Sequence, residues 1–272
     1  MIVTDLRAMK SMMKKINAIG AEEIRWTIGK GEIHGRYVDP AHVAMLDMKL
    51  KYNKTDDKVN FYDFKLFDLA LDITTLYSRI NLLPAGNIKK DNDPENKLKI
   101  DVAMNKEKII GLFFHHPMLD FPETLRDVES ISSAKLPSGC LDVDATANIN
   151  TRQFKLFLKI AEAEIDHITL IAEQEKGKLT ASFSNDYDET VSSDLTYSLG
   201  GIEGTDLKFL NKDVKTAKTL FSIDYMASIV NLVNAPTIKI GLKTDNPLVI
   251  WWKEKDNLEG IYLLAPRIEW SD

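Results

Sequence analysis

The fold is decided near the carboxyl end by Lys243-Thr244-Asp245-Asn246-Pro247-Leu248-Val249-Ile250 and, past a charged turn, by Ile261-Tyr262-Leu263-Leu264-Ala265-Pro266-Arg267-Ile268-Glu269. Both segments are rich in the β-branched and aromatic residues that favour strands, and Asn-Pro is a turn signal. The pattern predicts a strand next to Asp-Asn-Pro, a short polar hairpin, and a final strand that closes on Leu-Leu-Ala-Pro-Arg-Ile-Glu.

The two halves of the chain repeat one another. Thr4–Gly20 and Asn150–Ile165 both place apolar residues at helical spacing. Thr4 or Asp5 is the expected N-cap of the first helix and Asn150 that of the second. Each helix also carries a basic stripe at positions i, i+3 and i+7, and the two stripes align at one constant offset of 145 residues: Arg7, Lys10 and Lys14 with Arg152, Lys155 and Lys159.

A second pair of segments agrees with this duplication. Ile73–Leu83 aligns with Ile223–Val233 at an offset of 150, so that apolar residues meet apolar residues, Ser78 meets Ser228 and Asn81 meets Asn231. The two matches in register predict two similar domains with two helices each.

The rest of each half is predicted as strands. In both halves a hairpin with a Gly-containing turn follows the first helix. The order helix, strands, helix, strands predicts an α+β fold with antiparallel sheets. Pro117–Gly139 is interpreted as a structureless connector, which divides the chain into domains at 1–116 and 141–272 with a connector at 117–140. The expected strands are Ile24–Ile28, Glu32–Tyr37, Lys97–Ala103, Lys108–His115, Leu141–Ile149, Ile168–Glu173, Leu179–Phe183, Ile238–Leu242, Pro247–Lys253 and Leu258–Leu264.

A further segment identifies a family. Tyr37-Val38-Asp39-Pro40-Ala41-His42-Val43-Ala44-Met45-Leu46 has the pattern Met/Val-Asp-x-x-(His/Arg)-Val running into a strand. Together with the carboxyl-terminal segments it resembles the DNA sliding clamps, the PCNA of archaea and eukaryotes. The resemblance implies a ring of three chains with sheets outside and helices inside, which encircles duplex DNA and tethers other enzymes as a processivity factor. The family begins each domain with a strand before its first helix. In the first half only Met1–Val3 precede the predicted helix and are available for that strand.

The resemblance gives the basic stripes a function. Sequence-independent sliding needs positive charge toward phosphates and no reading of bases. The alternative interpretation is a solvated helix face. The expected DNA-facing residues are Arg7, Lys10, Lys14, Arg79, Arg152, Lys155 and Lys159.

The resemblance also implies a docking pocket for the PIP-box peptides of DNA polymerase, clamp loader, flap nuclease and ligase. An apolar groove of this kind holds a short helical turn with aromatic anchors. Ordinary core is the alternative for Val43 and Leu264. Ring closure is expected to join an edge strand at Lys108–His116 to another at Glu189–Tyr197. The matching pocket positions are Val38, His42, Val43, Met45, Pro247, Leu263, Leu264, Ala265 and Pro266.

Bulk properties and the remaining motifs limit the other functional classes to which the protein could belong. The net charge of −6 gives no global attraction to nucleic acid, and a single cysteine, Cys140, fits a reducing compartment. No apolar run approaches the roughly 20 residues that span a membrane, so no membrane association is expected. Asp142 and Asp144, predicted to share a strand face, leave a metal-dependent nucleic-acid enzyme as the alternative of another class. No catalytic residue, metal or cofactor is expected otherwise. Within the clamp class, a heterotrimeric or checkpoint-type subunit is the alternative. The expected location is the cytoplasm if the source is archaeal and the nucleus if it is eukaryotic.

Overall fold

The structure, a computed structural model, describes residues 2–29, 31–54, 67–86, 93–105, 108–126, 134–163, 165–183, 195–198, 207–255 and 257–267. The chain forms two compact units. The first consists of Met1–Pro40, Leu46–Lys135 and Glu254–Gly260, and the second of Ala41–Met45, Leu136–Lys253 and Ile261–Asp272. The turn of the carboxyl-terminal hairpin is therefore part of the first unit.

The first unit contains two helices and two antiparallel sheets. The helices are α1 (Leu6–Ala18) and α2 (Ile73–Leu82), and the strands are β1 (Ile2–Asp5), β2 (Glu23–Gly29), β3 (Glu32–Val38), β4 (Ala44–Lys51), β5 (Asn53–Lys54), β6 (Phe67–Asp72), β7 (Lys97–Asn105), β8 (Lys108–His116) and β9 (Leu119–Thr124). One sheet has the order β5-β1-β7-β8-β9, and the strands of the other follow as β4-β3-β2-β6. A single turn of 3-10 helix at Pro94–Asn96 lies in the predicted surface loop.

The second unit repeats the plan. Its helices are α3 (Thr151–Ala161) and α4 (Ile223–Val230), and its strands are β10 (Ala145–Asn150), β11 (His167–Glu173), β12 (Lys178–Phe183), β13 (Leu195–Ser198), β14 (Lys208–Phe209), β15 (Thr216–Ser222), β16 (Thr237–Leu242), β17 (Leu248–Lys253) and β18 (Leu258–Leu264). These strands follow the orders β14-β10-β16-β17-β18 and β13-β12-β11-β15. The α+β fold with antiparallel sheets and four helices is confirmed.

The helices begin where the sequence predicts. Asp5 caps α1 by accepting hydrogen bonds from the backbone N–H groups of Arg7 at 2.7 Å and Ala8 at 3.1 Å, and Asn150 caps α3 through the N–H of Gln153 at 3.1 Å. Each cap satisfies helix N–H groups that have no partner in the helix. A short strand, β1, does precede α1, and it is four residues long against six for β10.

Each unit places an aromatic ring over a glycine. In the first, Gly35 lies opposite Trp26 on the neighbouring strand, and the buried Trp26 Nε1–H donates to the Tyr37 hydroxyl at 2.8 Å. A Cβ on Gly35 would lie 2.0 Å from that hydroxyl oxygen. In the second, a Cβ on Gly241 would lie 2.6 Å from the Trp251 ring. At both positions glycine leaves room for the ring beside the backbone.

Three predictions about strands are wrong. The connector is not structureless throughout, because Leu119–Thr124 is β9, paired with β8. Lys108–His116 is consequently not an edge strand, since it lies between β7 and β9, and β9 is the edge. Strand β10 begins at Ala145, so that Asp142 and Asp144 precede it and share no strand face. The other expected edge is described only as β13, which is the first strand of its sheet, and positions 189–194 lie outside the described residues.

Candidate functional site

The middle residue of each basic stripe is a lysine that reaches from the first helix of its unit to the end of the second. In the first unit, Lys10 Nζ donates to the backbone carbonyl oxygens of Asn81, at 3.1 Å, and Leu83. In the second, Lys155 Nζ donates to the carbonyl oxygen of Asn231 at 2.9 Å. Both lysines thus satisfy carbonyl groups at the end of the second helix, where a cation is favourable. Partial burial lowers the pKa of Lys10.

The first residue of each stripe differs between the units. Arg7 is partly buried, and its Nη2 donates to the Gly86 carbonyl oxygen at 2.9 Å and to Asn96 Oδ1 at 2.7 Å. Arg152 is exposed. The guanidinium of Arg7 therefore holds the segment after α2 in place, which is a structural role that the stripe alone does not reveal.

The last residue of each stripe is the same. Lys14 and Lys159 are both exposed, and neither side chain forms an ion pair or a hydrogen bond with another of the described residues. A flexible, hydrated ammonium group of this kind can contact a phosphate without fixing its position.

Arg79, on α2, contacts the edge strand β9. Its Nη1 donates to the Pro122 carbonyl oxygen at 2.7 Å and to Glu123 Oε2 at 2.9 Å, and its guanidinium lies 5.8 Å from the centre of the Phe121 ring. Burial raises the pKa of Glu123, and the charge of Arg79 opposes that rise. The guanidinium therefore stabilises the contact of α2 with β9. The equivalent helix, α4, contains no basic residue.

Most of the predicted docking residues of the second unit lie on two neighbouring segments, and Pro247 lies on a third, just before β17. The Ala265 N–H donates to the Val43 carbonyl oxygen at 2.8 Å, which brings the segment before β4 alongside the end of β18. His42 is exposed in a left-handed conformation at φ 58°. Val43, Pro247, Ala265 and Pro266 are partly buried.

The remaining docking residues are more deeply placed. Leu264 has no exposed surface, so that its side chain belongs to the core. Met45 and Leu263 keep 8% and 5% of their surface exposed. Val38, in the first unit, is partly buried. The residues that offer surface to a ligand are accordingly the half-buried ones around Val43 and Ala265.

The enzyme alternative finds little support at its named residues. Asp142 is 81% exposed, and its Oδ2 accepts a bond from Lys243 at 3.4 Å, while Asp144 Oδ1 accepts one from Asn211 at 3.4 Å. In the part of the chain that the structure describes, no cluster of three or more His, Cys, Asp and Glu side chains could hold a metal ion. Within the same ranges, no helix is long and apolar enough to cross a membrane.

Two polar clusters are not predicted by the sequence. Lys15 pairs with Glu254, although it follows Lys14 in what reads as an exposed basic run. A set of ion pairs on β2 and β3 involves Arg25 with Asp68, and Arg36 with Asp47. Alternation of side chains along β3 places Arg36 outward, but no local signal reveals the carboxylate that meets it.

Two of three comparisons with known proteins find similarity along nearly the whole chain. No family model matches it. It is 26% identical over 270 residues to the DNA polymerase sliding clamp of Methanothrix thermoacetophila, covering 98% of each chain, and 28% identical over 256 residues to that of Methanocella arvoryzae, covering 91% of this chain and 90% of the relative. Its fold matches PCNA from Thermococcus kodakaraensis with a TM-score of 0.74 at 20% identity, covering 98% and 99% of the two chains. It also matches A. fulgidus PCNA bound to the C-terminal region of FEN-1, with a TM-score of 0.77 at 18% identity over 100% of both chains.

Proposed function

We propose that this chain is a sliding clamp subunit, because it has full-length homologues named DNA polymerase sliding clamp and the fold of PCNA. It would encircle duplex DNA and tether replication and repair enzymes as a processivity factor. The observation that carries the proposal is coverage: similarity extends over 98% of both chains, so that both units are included. The function would be topological, with no catalytic residue of its own.

Ring closure would use two surfaces, one in each unit. In the first unit, Met118, just before the edge strand β9, and Leu119, its first residue, are 65% and 50% exposed. In the second, Leu156 and Ile160, one turn apart on α3, are 58% and 46% exposed. Two different apolar surfaces on one chain suit a head-to-tail contact, which closes into a ring when the rotation permits. Edge strands β9 and β13 would pair across the same contact and remove both free edges.

Light scattering tests the assembly. The wild-type chain should have three times the 30.8 kDa mass of one subunit. Leu156→Ser should shift the mass toward that of a single chain, whereas Leu210→Ser, at another exposed leucine, should leave it unchanged. A wild-type monomer at high micromolar concentration would exclude the homotrimer and favour the heterotrimeric or checkpoint-type alternative.

DNA binding would rely on the exposed lysines. Lys14→Glu with Lys159→Glu should leave folding intact, because exposed charges contribute little to stability. The pair should weaken clamp-dependent stimulation of a polymerase and reduce the slope of log K against log salt, by about 0.9 for each phosphate that is no longer neutralised. Lys212→Glu with Lys176→Glu makes the same charge change at other exposed lysines. Equal effects of the two pairs would mean that the stripe is only a solvated helix face.

Partner docking would use the surface around Val43 and Ala265. The A. fulgidus PCNA carries the C-terminal region of FEN-1, and we extend that mode to this chain as part of the proposal. A peptide with Gln-x-x-Leu/Ile-x-x-Phe-Phe should bind with about micromolar affinity, which corresponds to roughly −8 kcal/mol. Val43→Asp should abolish the binding by placing an unpaired charge beneath the peptide.

Calorimetry on folded variants decides this point. Thr237→Asp, at an exposed position of β16, is the matched control and should bind like wild type. Leu264→Asp is unsuitable as a test because that side chain is fully buried and its loss would unfold the chain. Undiminished binding to Val43→Asp would place the site elsewhere, and no binding to wild type would remove the docking role.

A further inference from the structure

A small polar pocket lies on the outward side of β2 and β3 in the first unit. Its volume is about 120 Å³, well above the roughly 10–15 Å³ that one ordered water needs. A phosphate or a carboxylate group is of this size. The residues that matter here are Arg25, Thr27, His34, Arg36, Asp68 and Ala134.

The carboxylate in the lining is already satisfied. Asp68 accepts hydrogen bonds at Oδ2 from the Arg25 guanidinium, with Nε at 3.1 Å, and at Oδ1 from the Thr27 hydroxyl at 2.6 Å. Burial alone would raise the pKa of Asp68, but the hydrogen bonds from Thr27 and Arg25 hold it below its ordinary value. Asp68 is therefore ionised at neutral pH, and each of its oxygens accepts at least one hydrogen bond.

The carboxylate behind the pocket is satisfied as well. Asp47, which keeps 5% of its surface exposed, accepts His34 Nε2 at 2.7 Å on one oxygen and Arg36 Nε on the other. Burial alone would raise its pKa too, and the bonds and charges of His34 and Arg36 outweigh burial and lower it. Each carboxylate oxygen of Asp47 therefore already accepts a hydrogen bond.

What remains is a surplus of donors. A guanidinium has five N–H groups, and the bonds to the two carboxylates use only Nε and Nη2 of Arg25 and Nε of Arg36. The two guanidinium charges are balanced by Asp68 in the lining and by Asp47 behind it, so that the unused N–H groups, and not a net charge, are what the pocket offers to a ligand. We infer that this pocket is a binding site for a small oxyanion, held by the unused N–H groups of Arg25 and Arg36.

The place of the pocket indicates which oxyanion. Arg36 and Val38 are two residues apart on β3 and point to the same side of the strand, and Val38 is one of the docking positions that the resemblance to sliding clamps implies. A partner segment that contacts Val38 could therefore place a neighbouring side chain over Arg36. The ligand is the carboxylate of a Glu or Asp in the docked segment. This step rests on the proposed docking function, whereas the oxyanion site itself does not.

Titration with inorganic phosphate tests the site without any partner. The side-chain Nε–H resonances of Arg25 and Arg36 should shift saturably with a Kd of about 1 mM, while that of the exposed Arg152 should change little. Arg25→Gln should abolish the saturable shift at Arg36, because it removes part of the donor set and leaves the Asp47 pair untouched. Lys49→Gln, on the neighbouring strand β4, is the matched control. Linear, equal shifts at all three arginines would overturn the site.

Calorimetry with two peptides tests the ligand. Both contain Gln-x-x-Leu/Ile-x-x-Phe-Phe, and one carries two Glu residues on each flank where the other carries Gln. The acidic peptide should bind wild type about tenfold more tightly, a difference of about 1.4 kcal/mol, and Arg25→Gln should remove that preference but not the binding. Equal affinities for wild type would overturn the carboxylate ligand and leave docking standing. Binding of neither peptide would contradict docking and with it the ligand, while the phosphate titration still decides the oxyanion site.

Discussion

Helices α1 and α3 use equivalent positions in opposite ways. At the 145-residue offset, Ser11 and Lys15 correspond to Leu156 and Ile160. Lys15 has no exposed surface, and its Nζ lies 2.7 Å from Glu254 Oε1 and donates to the Ser11 hydroxyl at 2.6 Å, which in turn donates to Glu254 Oε2 at 2.8 Å. The two apolar residues of α3 are about half exposed. On α1 the charged Lys15 is buried and Ser11 is partly buried, whereas the two apolar positions of α3 face solvent.

The difference lies in what covers each helix. The face of α1 is covered by Glu254, in the turn that the carboxyl-terminal hairpin contributes to the first unit. The corresponding face of α3 is uncovered among the described residues of the chain. An apolar face without a cover suits burial against another copy, and a buried ion pair suits a contact that one chain makes permanently. The comparison therefore connects the stability of the first unit with the proposed assembly through the second.

The largest loss of unfolding free energy is expected on removing the buried cation of α1. Lys15→Met leaves Glu254 buried without its cation and should cost about 3–5 kcal/mol of unfolding free energy. Lys15→Met with Glu254→Leu should recover most of that loss, since an apolar pair can replace a buried ion pair. Denaturant unfolding of the three proteins gives the answer.

The matched variant on the other helix is Ile160→Lys. With the concentration low enough to keep the chain monomeric, it should change the unfolding free energy by no more than about 0.5 kcal/mol, because the site is half exposed. Equal losses of unfolding free energy for Lys15→Met and Ile160→Lys would contradict the difference between the two helices.

The two glycines beneath aromatic rings, Gly35 in the first unit and Gly241 in the second, allow a further comparison of the stability of the two units. Gly35→Ala would put its methyl group into the buried Tyr37 hydroxyl, which the Trp26 bond holds in place, and should cost about 1–3 kcal/mol. Gly241→Ala meets the ring of Trp251, which is only partly buried and can tilt outward. Its cost should be well below that of Gly35→Ala. Thermal unfolding would contradict this account if the order were reversed.

Small losses of unfolding free energy are expected at the lysines that reach the second helices. Lys10→Ala and Lys155→Ala each remove a cation from helix-end carbonyls and should cost about 0.3–1 kcal/mol. Lys10→Ala leaves the carbonyl oxygens of both Asn81 and Leu83 without this donor, so that its cost should lie toward the upper end of the range. Hydrogen exchange at the last turns of α2 and α4 would locate the loss. Lys14→Ala serves as the reference, with no measurable change expected.

The helices and most strands could be predicted because their signals are local. Apolar periodicity and an N-cap side chain determine where α1 and α3 begin. Strand β9 is not predicted because Pro122 argues against a strand, yet an edge strand accepts proline where its missing N–H needs no partner. The proline that conceals the strand is thus compatible with its place at the edge.

The candidate sites were only partly predictable, for a related reason. Periodicity places Arg7, Arg79 and Lys14 on helix surfaces, but it does not reveal that Gly86 and Glu123 engage the two arginines. The burial of Lys15 depends on Glu254, far away in sequence. Spacing predicts which face a cation occupies, whereas its partner depends on contacts between distant segments.

The most direct test of the central claim is retention on circular DNA. The chain would be loaded by a clamp loader and ATP onto nicked circular DNA, washed at 1 M salt, where electrostatic contacts are screened within about 3 Å, and measured before and after the circle is cut. A clamp from one of the archaeal relatives serves as the positive control. A ring that encloses DNA should stay on the circle and leave once the DNA is linear. Equal retention on both forms, or loss from the intact circle while the control is retained, would contradict the account.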